Sequence, residues 1–311
     1  MDALSRVLEL ADVKGTPDLR CLLAGPFELD HEQVPEGEAP YHLVLSGKGS
    51  LQISGGEEIA LREGDLLLLP RGSAHVMRDA DSATAHAGSM SIDNSGSLPV
   101  RSNTNGSAEL DLLCGRFSYA HGSADLIMAA LPDVLHVSLA EHGGMDVLRG
   151  VVGMLRAEVS EMAPGAPAVI TALSRALFVL AIRAYTLRDD VPASLLLLLA
   201  DARLGQAVQA MLRQPEAAWT VESLAERAAM SRASFARHFA AKGNTSPWEL
   251  LTLLRMRMAA GLLSRGKSTV GDVAERVGYQ SEAAFGKVFA KQTGMTPAAY
   301  RRSHAAGNAP R

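Results

Sequence analysis

Cys21, His42, His75 and Cys114 are the side chains of this chain best equipped for chemistry. Thiolates and imidazoles are the donors that hold tetrahedral zinc, so together the four would suit Zn2+ in a Cys2His2 site. Two thiols can also be joined reversibly by an oxidant, and thiolates on a metal are already deprotonated. The spacing alone is no metal motif, because the sequence contains neither CxxC nor HxxxH. Only a fold that brings distant segments together would make a site of them. His31, His86, His121, His136 and His142 have no evident partner. Two cysteines in 311 residues argue against a secreted disulfide framework.

A second set of residues is basic and comes twice. Val221–Pro247 and Val270–Pro297 are versions of one another. Ala225-Glu226-Arg227 recurs as Ala274-Glu275-Arg276, and Ser231, Phe235, Phe239 and Pro247 recur as Ser281, Phe285, Phe289 and Pro297. Each copy reads as a short helix, a tight turn and a second helix opened by a serine N-cap. Phenylalanines four apart make one buried stripe on that second helix. The opposite face is left free to enter a major groove. Charge agrees: residues 201–311 carry 16 Lys+Arg and 8 Asp+Glu, leaving the first 200 residues 14 of the 30 basic and 26 of the 34 acidic groups. A basic module beside an acidic one implies a phosphate-binding part and a part with another task.

The elements that must position the cysteines and histidines read as strands. Short apolar runs lie between Gly, Pro and charged turns at residues 20–24, 41–45, 50–54, 58–61, 65–69, 74–78 and 110–119, the pattern of an antiparallel barrel or sandwich. Gly47-Lys48-Gly49 and Ser54-Gly55-Gly56-Glu57 suit tight hairpins. Residues 80–108 are rich in Ser, Asn, Gly and Thr and read as a long mobile loop with no strand or helix period. Ahead of these, Leu4, Val7, Leu8 and Ala11 are spaced for a short helix. Helical patterns follow the strands over 145–162 and 166–187, with a hinge at 186–193. The expected organisation is α+β in two domains: residues 1–190, a linker at 191–201, and an all-α part at 202–311.

The second repeat with its tail, VGYQSEAAFGKVFAKQTGMTPAAYRR, resembles the signature of the AraC/XylS family of bacterial transcription regulators. The resemblance implies two helix-turn-helix modules reading successive major grooves, joined by the helix that begins at Trp248. It places Ala233, Ala236 and Arg237 of the first module, and Glu282, Ala283 and Lys287 of the second, at the bases. Arg237 suits guanine O6 and N7, Glu282 a cytosine amine, and Lys287 guanine or phosphate. Ser231, Arg232 and Ser281 are expected at phosphates, and Arg255 and Arg257 of the joining helix have the charge for the DNA backbone.

The segment Tyr41–Gly49, and Gly64–Pro70 followed by His75, resemble the two conserved segments of cupin barrels, and a branch of the AraC/XylS family carries such a sensor. The opening MDALSRVL with Cys21, His42 and His75 is similar to the reactive-chlorine-responsive branch. That similarity implies redox roles for Cys21 and Cys114, while the cupin barrel, whose two histidines point inward, would let Cys21, His42, His75 and Cys114 together hold a metal. The family resemblance further implies a homodimer that binds promoter DNA and contacts RNA polymerase, while the two cysteines and the run Leu195–Leu199, too short to span a bilayer, point to a cytoplasmic protein with no membrane part. Two rival readings remain open: an effector pocket in the barrel without metal, and a metal cupin enzyme. Against the enzyme, the first cupin segment lacks the second His and the Glu that leave a catalytic metal accessible.

Overall fold

The computed structural model describes residues 2–11, 13–53, 56–79, 90–103, 108–119, 123–138, 146–266 and 268–305. The chain forms two compact units. One comprises Val13–Tyr119 and Leu131–Asp189, the other Met1–Asp12, Ala120–Ala130 and Asp190–Arg311.

The first unit is built on a curled ten-stranded sheet. Its centre is β3 (Glu38–Ile53), flanked by β9 (Leu110–Ser118) and β5 (Leu66–Leu68). β1 (Lys14–Leu23) lies beyond β9, and β10 (Leu135–Val137) beyond β5. The far half of β3 pairs with β4 (Glu58–Arg62) and β6 (His75–Arg78), and β6 pairs in turn with β2 (Glu28–His31). The expected hairpin at Gly47 is instead a bend inside one long strand. Gly47 has φ 91°, and a Cβ there would lie 1.9 Å from the Glu109 carbonyl oxygen. Glycine therefore lets β3 curl past β9 and change partners, which a two-stranded hairpin could not do. Of the second expected hairpin, residues 54 and 55 lie outside the described residues.

The expected loop over 80–108 also differs. Its described part holds β7 (Ser91–Asp93) and β8 (Val100–Ser102), which extend the sheet beside β1. Asn103 fastens this extension by exchanging two hydrogen bonds of 2.9 Å with the Ala24 backbone. These two short strands bury no full face, so they leave no alternating pattern to read. Residues 80–89 and 104–107, with His86, lie outside the described residues, as do His121 and His142.

Two helices close this unit: α3 (Asp146–Glu161) packs on α4 (Ala166–Thr186), and α4 packs on β1. Gly15 and Gly115 let α4 and the Tyr41 ring come close, since Cβ atoms there would meet Ser174 Cβ at 2.8 Å and Tyr41 Oη at 2.6 Å. Tyr41 Oη and Ser174 Oγ are hydrogen-bonded at 2.9 Å, beside the rings of Phe117 and Phe178. In length and composition α4 could cross a membrane. Its apolar side is instead core: Ile170, Leu177, Phe178, Ala181 and Ile182 are buried.

The helical unit departs from the expected boundaries in two ways. α1 (Ala3–Ala11) and α2 (Ser123–Ala130), from within the expected 1–190 domain, belong to it. The 191–201 segment is no bare linker, because Leu195–Ala200 forms α5 with Leu196, Leu198 and Leu199 buried. A Cβ on Gly243 would lie 2.5 Å from Leu198, so that glycine makes room for it. A five-leucine run is too short to show a period, and an apolar stripe does not name the unit it will join. α6 (Leu204–Arg213) then leads into α7 (Val221–Arg227), α8 (Arg232–Gly243), α9 (Pro247–Ser264), α10 (Val270–Arg276), α11 (Glu282–Thr293) and α12 (Pro297–Ala305).

Candidate DNA interface and sensor site

Each module is a short helix followed by a second one whose start is fixed by a side-chain cap. Thr220 and Thr269 open α7 and α10 with reciprocal capping boxes. Ser231 Oγ accepts the Ser234 amide at 3.3 Å and Ser281 Oγ accepts the Ala284 amide at 3.1 Å, opening α8 and α11. Each hydroxyl keeps its own proton to donate to a phosphate. Phe235, Phe239, Phe285 and Phe289 are each 0% exposed, and both ring pairs touch within their helix at 5.3 and 5.4 Å.

With those rings inward, the opposite faces point out. Ala233, Arg237, Glu282, Ala283 and Lys287 are exposed and Ala236 is half-buried. Arg232 is exposed and pairs with Glu222 at 2.7 Å. So exposed a pair is worth under about 1 kcal/mol, so a phosphate could take Arg232 over cheaply. Arg255 is a correction. It does not face solvent: it is 7% exposed, and its guanidinium donates to the carbonyls of Pro215 at 2.6 Å and Ala217 at 3.0 Å. It also lies 5.9 Å over the Tyr279 ring.

In the sheet unit the four expected sensor residues do converge, but not on one point. His42 and Cys114 are direct cross-strand partners on β3 and β9, with His42 Nδ1 3.2 Å from Cys114 Sγ. Cys21 on β1 is diagonal to Cys114, two positions along from its partner Leu19, and the sulfurs are 3.9 Å apart. The other nitrogen of His42, Nε2, faces His75 Nε2 at 2.8 Å. The imidazole of His42 thus stands between the thiols and His75. Its two nitrogens look in opposite directions, Nδ1 toward Cys114 and Nε2 toward His75.

His31 completes a different group. It pairs with His75 in the β2–β6 register, and their rings stack at 4.4 Å and 7°. One nitrogen each from His31, His42 and His75 lie within 4.8 Å of one another. Burial, and then the nearness of His75, pushes His31 down to about 4. Burial likewise holds His42 well below, and His75 below, the usual imidazole range. Three neutral imidazoles with lone pairs to offer fit a metal ion.

The thiols are unlike one another. The bond from Cys114 lowers the Cys21 thiol, helped by Arg101, its partner on β8. Contact with Cys21, and then burial, raises Cys114 well above the usual thiol range. Leu23, Phe27, Leu29, Val44, Leu67 and Leu112 fill the core around the pair.

Residues 2–186 match the family model described as "Cupin", and residues 224–303 the one described as "Helix-turn-helix domain". The RCS-specific HTH-type transcriptional activator RclR of Escherichia coli (strain K12) is 35% identical over 302 residues, which are 97% of this chain and 97% of that protein. This chain belongs to the AraC family of cupin-bearing transcription regulators. The HTH-type transcriptional regulator MtrA of Neisseria gonorrhoeae is 34% identical over 307 residues, 97% of this chain and 98% of that protein.

As an AraC-family regulator the chain binds DNA and is not an enzyme. Sequence reasoning overlooked two residues of its cupin unit. His31 had a signal: Phe27, Leu29 and His31 alternate with Glu28 and Asp30, so one face of β2 is apolar up to the histidine. Arg101 had none, because it sits on a three-residue strand inside a polar segment.

Proposed function

We propose that this regulator changes its grip on promoter DNA when an oxidant joins Cys21 to Cys114. The observation that carries the reading is the 3.9 Å separation of two buried sulfurs on neighbouring strands. The oxidant class is a reactive chlorine species, in keeping with the name of the relative in Escherichia coli. One thiolate attacks the chlorine of hypochlorous acid, forming S–Cl and releasing hydroxide. The second thiolate attacks that sulfur, forming S–S and releasing chloride. The sum is two thiols and one hypochlorous acid giving one disulfide, chloride, water and a proton.

Closing this bond must move backbone. A disulfide needs sulfurs about 2.05 Å apart and Cα atoms roughly 4.4–6.8 Å apart. Diagonal neighbours on paired strands have Cα atoms about 7–8 Å apart. β1 must therefore shift against β9, and these strands bear on α4 through Gly15 against Ser174 and Phe117 against Phe178, beside Tyr41 of β3, which is bonded to Ser174. A one-strand shift is thereby handed to the α3–α4 pair. Val147 and Met154, apolar yet 68% and 51% exposed on α3, support this pair as the homodimer contact.

On DNA, Arg237, Glu282 and Lys287 read bases, Ala233, Ala236 and Ala283 meet thymine methyl groups, and Ser231, Arg232 and Ser281 hold phosphates. The regulator acts in the cytoplasm as an activator in contact with RNA polymerase. The test is a graded hypochlorite titration of the reduced full chain. Peptides are mapped without reductant, and promoter binding is measured alongside. A Cys21–Cys114 disulfide forming in step with a reversible change in DNA affinity is the expected result. Affinity that stays constant while the disulfide forms would refute the coupling.

A further inference from the structure

We propose that His31, His42 and His75 bind a borderline divalent transition-metal ion through nitrogen alone, with both cysteines outside the coordination shell. Three strands bring the rings together: β2 and β6 stack His31 on His75, and β3 sets His42 edge-on to both, at 5.0 and 4.9 Å between centroids. One nitrogen from each falls within 4.8 Å of the others.

The hydrogen bonds fix where the lone pairs of this group can point. His75 Nδ1 lies 2.9 Å from the Ser73 carbonyl oxygen, which can only accept, so Nδ1 carries the ring's proton. His75 Nε2 then offers its lone pair to His42 Nε2 across 2.8 Å, accepting that ring's proton when His42 carries it on Nε2 and facing a second lone pair when His42 carries it on Nδ1, toward Cys114 Sγ. His31 Nδ1 is buried and makes no well-formed hydrogen bond among the described residues, the ring having only a backbone contact with Leu29. A native fold rarely leaves a buried polar atom so, because the lost solvation is not recovered. A cation among the three rings would take one lone pair from each, with the His42 proton on Nδ1. The Ser73 bond is also the outer contact that metal-bound histidines make, since it fixes the tautomer and the ring orientation.

The donor set names the class of ion. Imidazole suits zinc, copper, iron and nickel, and no carboxylate joins the group among the described residues to favour calcium or magnesium. Cys114 lies 3.2 Å from Nδ1, the nitrogen of His42 turned away from His75, so the ion and the thiol sit on opposite sides of one ring. Three protein ligands leave a coordination position open.

The experiment uses the full chain, stripped with a chelator under reducing conditions and titrated with cobalt(II) as the spectroscopic probe. The expected result is visible ligand-field absorption saturating at about one equivalent, without near-ultraviolet sulfur-to-cobalt charge transfer, and displaced by zinc. Cys21→Ser/Cys114→Ser should leave spectrum and affinity unchanged, whereas His31→Gln, checked for an intact fold by circular dichroism, should weaken binding at least roughly tenfold. A charge-transfer band lost in the double-serine chain would put the ion on the thiols and overturn the proposal. So would a wild-type chain that takes up neither metal, or a folded His31→Gln that binds as tightly as the original. Disulfide mapping of the metal-free chain is a separate readout, so failure here leaves the oxidation reading to stand or fall by itself.

Discussion

Replacing Arg255 by Met keeps the length and apolar stem of the side chain and removes its guanidinium. In the folded chain that group donates to Pro215 and Ala217, in the turn ahead of the first module, and lies against Tyr279 in the turn of the second. Gly278 is close enough that a Cβ there would meet the guanidinium at 2.8 Å. Hydrogen bonds from a charged donor are worth about 1.5–3 kcal/mol each, and both carbonyls would lose their partner in a buried place. Arg255→Met should therefore destabilise the helical unit by about 3–5 kcal/mol. Arg255→Lys, a point donor able to serve one carbonyl, should cost roughly half as much. Urea unfolding followed by helical circular dichroism measures the loss. Salt-dependent DNA binding supplies the control, since a phosphate contact contributes about 0.9 to the slope of log affinity against log salt. A side chain that only ties the modules together should leave that slope unchanged. A loss of stability under about 1 kcal/mol together with a slope shallower by about 0.9 would refute this account and return Arg255 to the DNA backbone.

Four further outcomes are expected. Arg237→Ala should cost about 1–3 kcal/mol in binding and relax preference at one base pair, read by selecting bound sequences from a random pool. Phe285→Ala should lose about 3–5 kcal/mol of stability by urea unfolding, whereas the exposed Lys287→Ala should stay within about 0.5 kcal/mol and weaken DNA binding instead. Tyr41→Phe strands the buried Ser174 hydroxyl and should cost about 1–3 kcal/mol, with Tyr41→Phe/Ser174→Ala regaining part of the loss in the same assay. Cys114→Ser should keep promoter affinity in reductant but abolish its response to hypochlorite in a gel-shift titration.

The helix-turn-helix modules were legible because their specification is local. A serine cap, phenylalanines four apart and a glycine or short turn act within a dozen residues, and the sequence prints the arrangement twice. The sheet was less legible. Its strands were recognisable by alternation, but their partners were not, since pairing joins residues as distant as His42 and Cys114. Gly47 looked like a hairpin because the same glycine serves a turn or a bend, and only the approach of Glu109 decides between them.

By itself the sequence determined the class of the molecule, the twin modules, their outward basic faces and the candidates Cys21, His42, His75 and Cys114. Tertiary structure decided how those candidates associate. Two nitrogens on opposite sides of one imidazole separate the thiols from His75, and a cross-strand register brings in His31, which no local pattern links to the others. It also turned Arg255 inward, because a charge on a helix goes to whichever acceptors the packed chain presents. The physical reason is common to all of these: caps and periodicity act along the chain, whereas register, ring orientation and burial are set by segments that meet only after folding.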